Sequence, residues 1–350
     1  MTVRRLPRWA AVLALFSLLA LACSGGSSRG GDDAAAPADG AVAGPGERPV
    51  QFVGAGKVRL FGTFTMPETT SRAVPGVLLV PTSGAGDLLG PTGANDPLGQ
   101  DLAASFAQAG LATYRYDQRG TGESKLEPGV NLTVDDLVAD AKAALDLLSQ
   151  RRETTGQDLS VVGYDQGGLV AMRLAATDDR VKRVVLISTP GRSLTETRAA
   201  QLDARHGPES GPALRELVAG LLQTRGLPPL DSMRTELRAL FPSQHAAFMA
   251  DLYGIDPAAD AARVRVPALI VVPADPAPYD PQRLAAAMRG AQVLTSTGTS
   301  PTLVISGETG PDLSDPTSPL HDHGSGPPVA KTTRDTAALE RMAQFLAPKP

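Results

Sequence analysis

A chain of 350 residues allows one large domain or two ordinary ones, and an apolar fraction of 42 % is enough for a sizeable core. Aromatic residues make up only 4 %, so Ala, Val and Leu must supply most of that core. The net charge of −4, with acids and bases spread along the chain, excludes the basic stripe that nucleic-acid binding needs, and a single cysteine excludes an intramolecular disulfide.

The N-terminus reads as an export signal. Arg4, Arg5 and Arg8 form a basic region, and Ala10 to Ala22 is an apolar run without a charge, too short for a comfortable membrane span. The residues Leu19-Ala20-Leu21-Ala22 before Cys23 resemble a bacterial lipobox. That resemblance implies removal of residues 1–22, acylation of Cys23, secretion across the inner membrane and anchoring to the lipid bilayer of the cell envelope. Ser24 gives no inner-membrane retention signal of the aspartate type, which favours the outer membrane of a Gram-negative host. Residues 23–48 are rich in Gly, Ala, Ser, Pro and Asp without a hydrophobic period, and read as a flexible tether.

From residue 49 strand and helix patterns alternate. Val58 to Thr65 predicts an antiparallel edge strand, and Gly76 to Pro81 a short buried one. Asp96-Pro97 opens a helix that Gly110 closes, with Leu98, Leu102, Phe106 and Ala109 on one face. Ala112 to Tyr116 is the next strand. Thr133 caps a helix carrying Val134, Leu137, Val138, Ala141, Leu145 and Leu148 at helical spacing. Ser160–Gly163, Val184–Ser188, Ala268–Val272 and Gln292–Ser296 are further strands, mostly apolar, as in a parallel sheet buried on both faces. The pattern predicts a doubly wound, mostly parallel α/β sheet, with its first half over residues 49–190 and its second over 265–348. Residues 191–264 predict a helical cap over the carboxyl ends of the strands, where open α/β sheets place their ligands.

The chemistry concentrates at Gly163-Tyr164-Asp165-Gln166-Gly167-Gly168, between a strand and a helix. This is the context of a nucleophile elbow, whose tight turn needs small residues two before and two after the central side chain. Gly163 and Gly167 hold those places and Asp165 holds the centre, at a helix N-terminus whose dipole favours negative charge.

Several stretches taken in order resemble the envelope esterase and acyl-hydrolase (serine-aminopeptidase-like) branch of the α/β-hydrolase superfamily. Ser83-Gly84 occupies the oxyanion-loop position. Tyr116-Asp117-Gln118-Arg119-Gly120-Thr121-Gly122-Glu123-Ser124 resembles the family's Asp-x-Arg-Gly-x-Gly-x-Ser turn. Asp256-Pro257-Ala258 ahead of Val266-Pro267-Ala268 resembles the return from cap to sheet, and Asp315-Pro316-Thr317-Ser318 a late loop. The resemblance implies backbone donors at Gly84 or Ala85 and Gln166, and an acid at Asp275. It also implies a serine where Asp165 stands and a histidine near Pro301, and this chain has neither. Its four histidines are His206, His245, His321 and His323.

Three readings follow from these departures. The site has decayed and the domain binds or scaffolds; or Asp165 is a nucleophile, as in the haloalkane dehalogenase and epoxide hydrolase relatives, with His321 or His323 as base; or carboxylates alone run another hydrolytic or lyase reaction. Each site residue also has a plain structural role open to it. Asp165 can accept N–H bonds at its own helix N-terminus, Asp275 can cap the helix near Asp280, and Asp117 and Arg119 can pin their loop. His321-Asp322-His323 offers only two imidazoles in a Pro/Gly-rich loop, so neither metal nor cofactor is expected. The expected partners are the bilayer, through Cys23, and a small apolar or acyl ligand.

Overall fold

The computed structural model describes residues 46–68, 72–81, 97–126, 132–238, 240–241, 246–272, 279–288, 291–295 and 336–347. Eight strands form one sheet: β1 (Glu47–Val53), β2 (Arg59–Thr65), β3 (Val74–Val80), β4 (Ala112–Tyr116), β5 (Thr154–Tyr164), β6 (Val181–Ile187), β7 (Ala268–Val272) and β8 (Gln292–Thr295). Their order is β1-β2-β4-β3-β5-β6-β7-β8. β2 is antiparallel to both β1 and β4, and the other neighbours pair in parallel. The chain runs outward from β3 to β4, then returns to start β5 on the other side of β3. That reversal is the switch point at which α/β sheets leave a crevice beyond the strand ends.

Side chains on successive strand residues point to opposite faces, and both faces are covered. Val77 and Leu79 join a cluster with Leu98, Leu102 and Phe106 of helix α1 (Pro97–Gln108) and Met342 and Leu346 of the last helix. Leu78 and Val80 join a second cluster with Leu137, Leu145 and Leu148 of α2 (Val134–Gln150) and Leu169 and Met172 of α3 (Gln166–Thr177). The helix ends follow their residues. Gly110, at φ 81°, ends α1, and Thr133 opens α2 in a reciprocal box with Asp136.

The sheet edge differs from expectation. β2 is not the edge strand, because β1 covers it, and β1 begins at Glu47, inside the stretch read as tether. The Glu-Arg-Pro start disguised it. Glu47 accepts from Arg115 at 2.7 Å and Arg48 donates to Glu153 at 3.2 Å, so both charges are paired across the sheet. Pro49 lacks a ladder N–H, which an edge strand tolerates. The turn after β4 is structural: Asp117 accepts the Glu123 N–H at 2.8 Å, and Arg119 grips Asp140 of α2 through two bonds of 2.6 Å.

Between β6 and β7 the described chain is helical: α4 (Leu194–His206), α5 (Ser210–Thr224), α6 (Thr235–Arg238), α7 (Ala246–Tyr253) and α8 (Pro257–Ala261). α4 opens on Ser193, which accepts from the Glu196 N–H at 3.3 Å, and stops at Gly207 with φ 99°. α8 opens on Asp256 with Pro257 in its first turn. Helix α9 (Pro281–Ala287) lies between β7 and β8, and α10 (Thr336–Leu346) closes the described chain.

Candidate active site

β5 ends at Tyr164 and α3 begins at Gln166, so Asp165 alone turns the chain from strand to helix. Its φ of 48° and ψ of −122° lie in a region that L residues avoid, at a cost on the order of 1–3 kcal/mol. The surroundings fix it there. The Asp165 N–H donates to the Ile187 carbonyl at 2.8 Å, and its own carbonyl accepts from Gly168 at 3.1 Å.

The glycines explain how so sharp a turn packs. A Cβ on Gly163 would lie 2.4 Å from the Gly167 carbonyl oxygen, and one on Gly167 would lie 2.3 Å from that of Pro81. The first turn of α3 therefore wedges against the end of β3. A third glycine, not singled out from sequence, matters as much: a Cβ on Gly168 would lie 1.9 Å from Thr189 Oγ1, just past β6.

Asp165 is buried, with 7 % of its surface exposed, and its carboxylate makes no capping bond to α3 among the described residues. It turns instead to the helices above. Asp165 Oδ2 accepts from Arg198 Nη2 of α4 at 2.9 Å. Arg198 is also 7 % exposed, and its Nη1 donates to Gln201 Oε1, one turn along, at 2.8 Å. Gln201 Nε2 in turn lies 3.5 Å from the Tyr279 hydroxyl. Tyr253 of α7, stacked on Phe241 at 5.1 Å between centroids, completes the group.

The charges of this cluster balance. Burial works against the Arg198 cation, but Asp165 holds its pKa above the ordinary value, so it stays charged. Burial pushes the Tyr253 phenol up; Arg198 draws it down and Asp165 pushes it up again, leaving it protonated. The result is one carboxylate and one guanidinium under the cap, joined by a charge-assisted bond.

Asp165, Gln166, Gly163 and Gly167 thus meet at the elbow, where Gln166 supplies the first helical residue of α3. Asp275, Gly84, Ala85 and Cys23 lie outside the described residues, as do Pro301, His245, His321 and His323. His206 is exposed at the far end of α4. Sequence reasoning missed Arg198, Gln201, Tyr253 and Tyr279. One signal was available: Arg198 stands midway between Leu194 and Leu202 on the buried stripe of α4, and a cation there needs an anionic partner.

Strand order, elbow and cap together define an α/β-hydrolase fold. Residues 98–222 match the family model described as serine aminopeptidase, S33. The chain is similar to uncharacterized protein PA2218 of Pseudomonas aeruginosa, 33 % identical over 115 residues that cover 31 % of each chain. The crystal structure of PA2218 superposes with a TM-score of 0.52 at 18 % identity, over 86 % of this chain and 92 % of that one. DcsB in complex with its substrate analogue gives 0.55 at 15 % identity, over 86 % and 98 %. The alpha/beta hydrolase GrgF from Penicillium sp. sh18 gives 0.50 at 17 %, over 72 % and 90 %. Over residues 98–222 the chain is therefore similar to that family, and its fold is that of the α/β-hydrolases.

Proposed function

We propose that this chain is an envelope-anchored domain, derived from carboxylic-ester hydrolases, that binds a small apolar or acyl ligand without turning it over. The observation that carries this reading is the buried bond between Asp165 and Arg198. A serine elbow attacks a carbonyl; a carboxylate in its place would form an anhydride, a poor route to hydrolysis. Attack on an alkyl carbon needs a carboxylate with an exposed lone pair. Arg198 engages Oδ2 and stabilises the resting anion, which lowers its nucleophilicity.

The alternative, Asp165 as a dehalogenase-like nucleophile, is favoured by one observation: the elbow keeps its strained conformation with aspartate in it. Mass spectrometry of the intact protein separates the two. Incubation with 1-bromobutane or an alkyl epoxide should leave the mass unchanged, and serine-directed phosphonates should not label the chain. An adduct mapped to Asp165 would install the alternative, and phosphonate labelling with ester turnover would refute both.

The anchor is part of the proposal, supported by the basic and apolar run before Cys23. Cys23→Ser should abolish incorporation of a palmitate analogue and leave the precursor uncleaved. Equal labelling of the variant would refute the lipid anchor.

A further inference from the structure

Arg198 is under-used for so buried a group. A guanidinium carries five N–H donors. Arg198 engages Gln201 Oε1 with one and Asp165 Oδ2 with another. The N–H on Nε and the second N–H of each Nη have no acceptor among the described residues. The Tyr253 hydroxyl, 4 % exposed as a residue, makes no hydrogen bond to a described residue either. Ser188 stands one place beyond the Ile187 carbonyl that receives the Asp165 N–H, and its buried Oγ likewise has no partner among the described residues.

The geometry points to a second polar subsite in which Arg198 and Tyr253 together hold a neutral carbonyl oxygen, of an ester or amide, from the cap side of the cleft. This rests on the non-catalytic reading above and adds the class of ligand. The charge balance decides between a neutral and an anionic occupant. A ligand carboxylate placed against Arg198 would sit close to Asp165 as well. Attraction to one and repulsion from the other would largely cancel, while the full desolvation of the anion would remain. A neutral carbonyl uses the same donors, feels no net charge and is far less costly to dehydrate. Recognition here comes from a cap side chain, and is separate from the backbone donors expected at Gly84, Ala85 and Gln166.

The test is a titration of the full chain with N-methylbutyramide, a neutral carbonyl that resists hydrolysis, and with butyrate, followed by ligand-observed NMR at pH 7. The amide should bind at least about tenfold tighter than butyrate. Tyr253→Phe, which removes one hydroxyl and leaves the stacked ring, should weaken amide binding about three- to tenfold, the size of one hydrogen bond. The neutral pair Asp165→Asn with Arg198→Gln, checked for folding by circular dichroism, should weaken it further. Butyrate binding as tightly as the amide would overturn the proposal, and so would amide affinity indifferent to both changes. Methyl butyrate assayed in parallel keeps the two readings apart. Its hydrolysis would overturn the non-catalytic function, while the amide titration would still decide the subsite.

Discussion

Replacing Asp165 by the serine that the family resemblance expects should destabilise the protein rather than restore an enzyme. Both partners of the ion pair are 9 % exposed in their side chains and lie 2.9 Å apart. At an effective dielectric of about 20, two unit charges about 4 Å apart attract by roughly 4 kcal/mol. Removing one member of a buried pair leaves the other charge dehydrated and unmatched, at a cost of about 3–5 kcal/mol. Serine keeps the backbone strain at φ 48° and returns none of this. Arg198→Met keeps an apolar stem against its neighbours and should cost a similar amount. The double variant removes both charges together and should lie within about 1 kcal/mol of the parent, or above it. Guanidinium unfolding followed by far-UV circular dichroism gives the four stabilities; tryptophan emission is unsuitable, since Trp9 is the only tryptophan and lies outside the described residues. A coupling energy of about 3 kcal/mol or more is expected. If the two single costs add to the double within about 0.5 kcal/mol, the pair does not join cap to core as described. If Asp165→Ser hydrolyses activated esters rapidly, Arg198 does not block the elbow.

Two further outcomes follow from the same packing. Gly168→Ala would place its methyl 1.9 Å from Thr189 Oγ1 and should cost about 1–3 kcal/mol, as overpacking does; Thr189→Ala should recover part of it, and a thermal melt without loss would contradict the wedge. Just past α3, Arg180 Nε donates to the partly buried Asp178 at 2.8 Å, and this holds the Asp178 carboxyl at about 2, below its ordinary 3.8. The contribution is therefore present above about pH 4 and lost as pH falls through 2. Acid unfolding of Asp178→Asn should show a shallower decline between pH 4 and pH 2 than the parent, and identical curves would refute the assignment.

Most of the fold was legible because its strands are buried on both faces. Ala268–Val272 and Ala112–Tyr116 coincide with β7 and β4, since apolar runs bounded by loops leave little choice of ends. β5 was read from its buried half alone. It begins at Thr154, and Thr155-Gly156-Gln157-Asp158 ahead of Leu159 resemble a turn while pairing as strand. β1 was missed for a related reason. Its charges look solvated in sequence and are neutralised only by Arg115 and Glu153, 68 and 105 residues away. Local composition cannot report a partner so distant.

The elbow was legible for the opposite reason: its requirements are local. Gly163, Gly167 and the strand-to-helix change lie within six residues, and the clash of a Gly163 Cβ with the Gly167 carbonyl depends only on that turn. Arg198 lies 33 residues downstream on another element, and only the packing of α4 over the elbow brings it to Asp165. The sequence held half of the argument, an arginine on an apolar helical stripe, and a buried carboxylate at the elbow held the other half. Each charge alone would be strongly destabilising where it sits, and together they are neutral. A family site that gains an aspartate can therefore stay folded when the cap supplies a cation. On the reading proposed above, the same cation also tempers the chemistry, because the group that makes the aspartate tolerable engages its Oδ2. On the non-catalytic reading proposed above, serine-type chemistry at this elbow would need both positions to change, since a serine alone would face an uncompensated arginine.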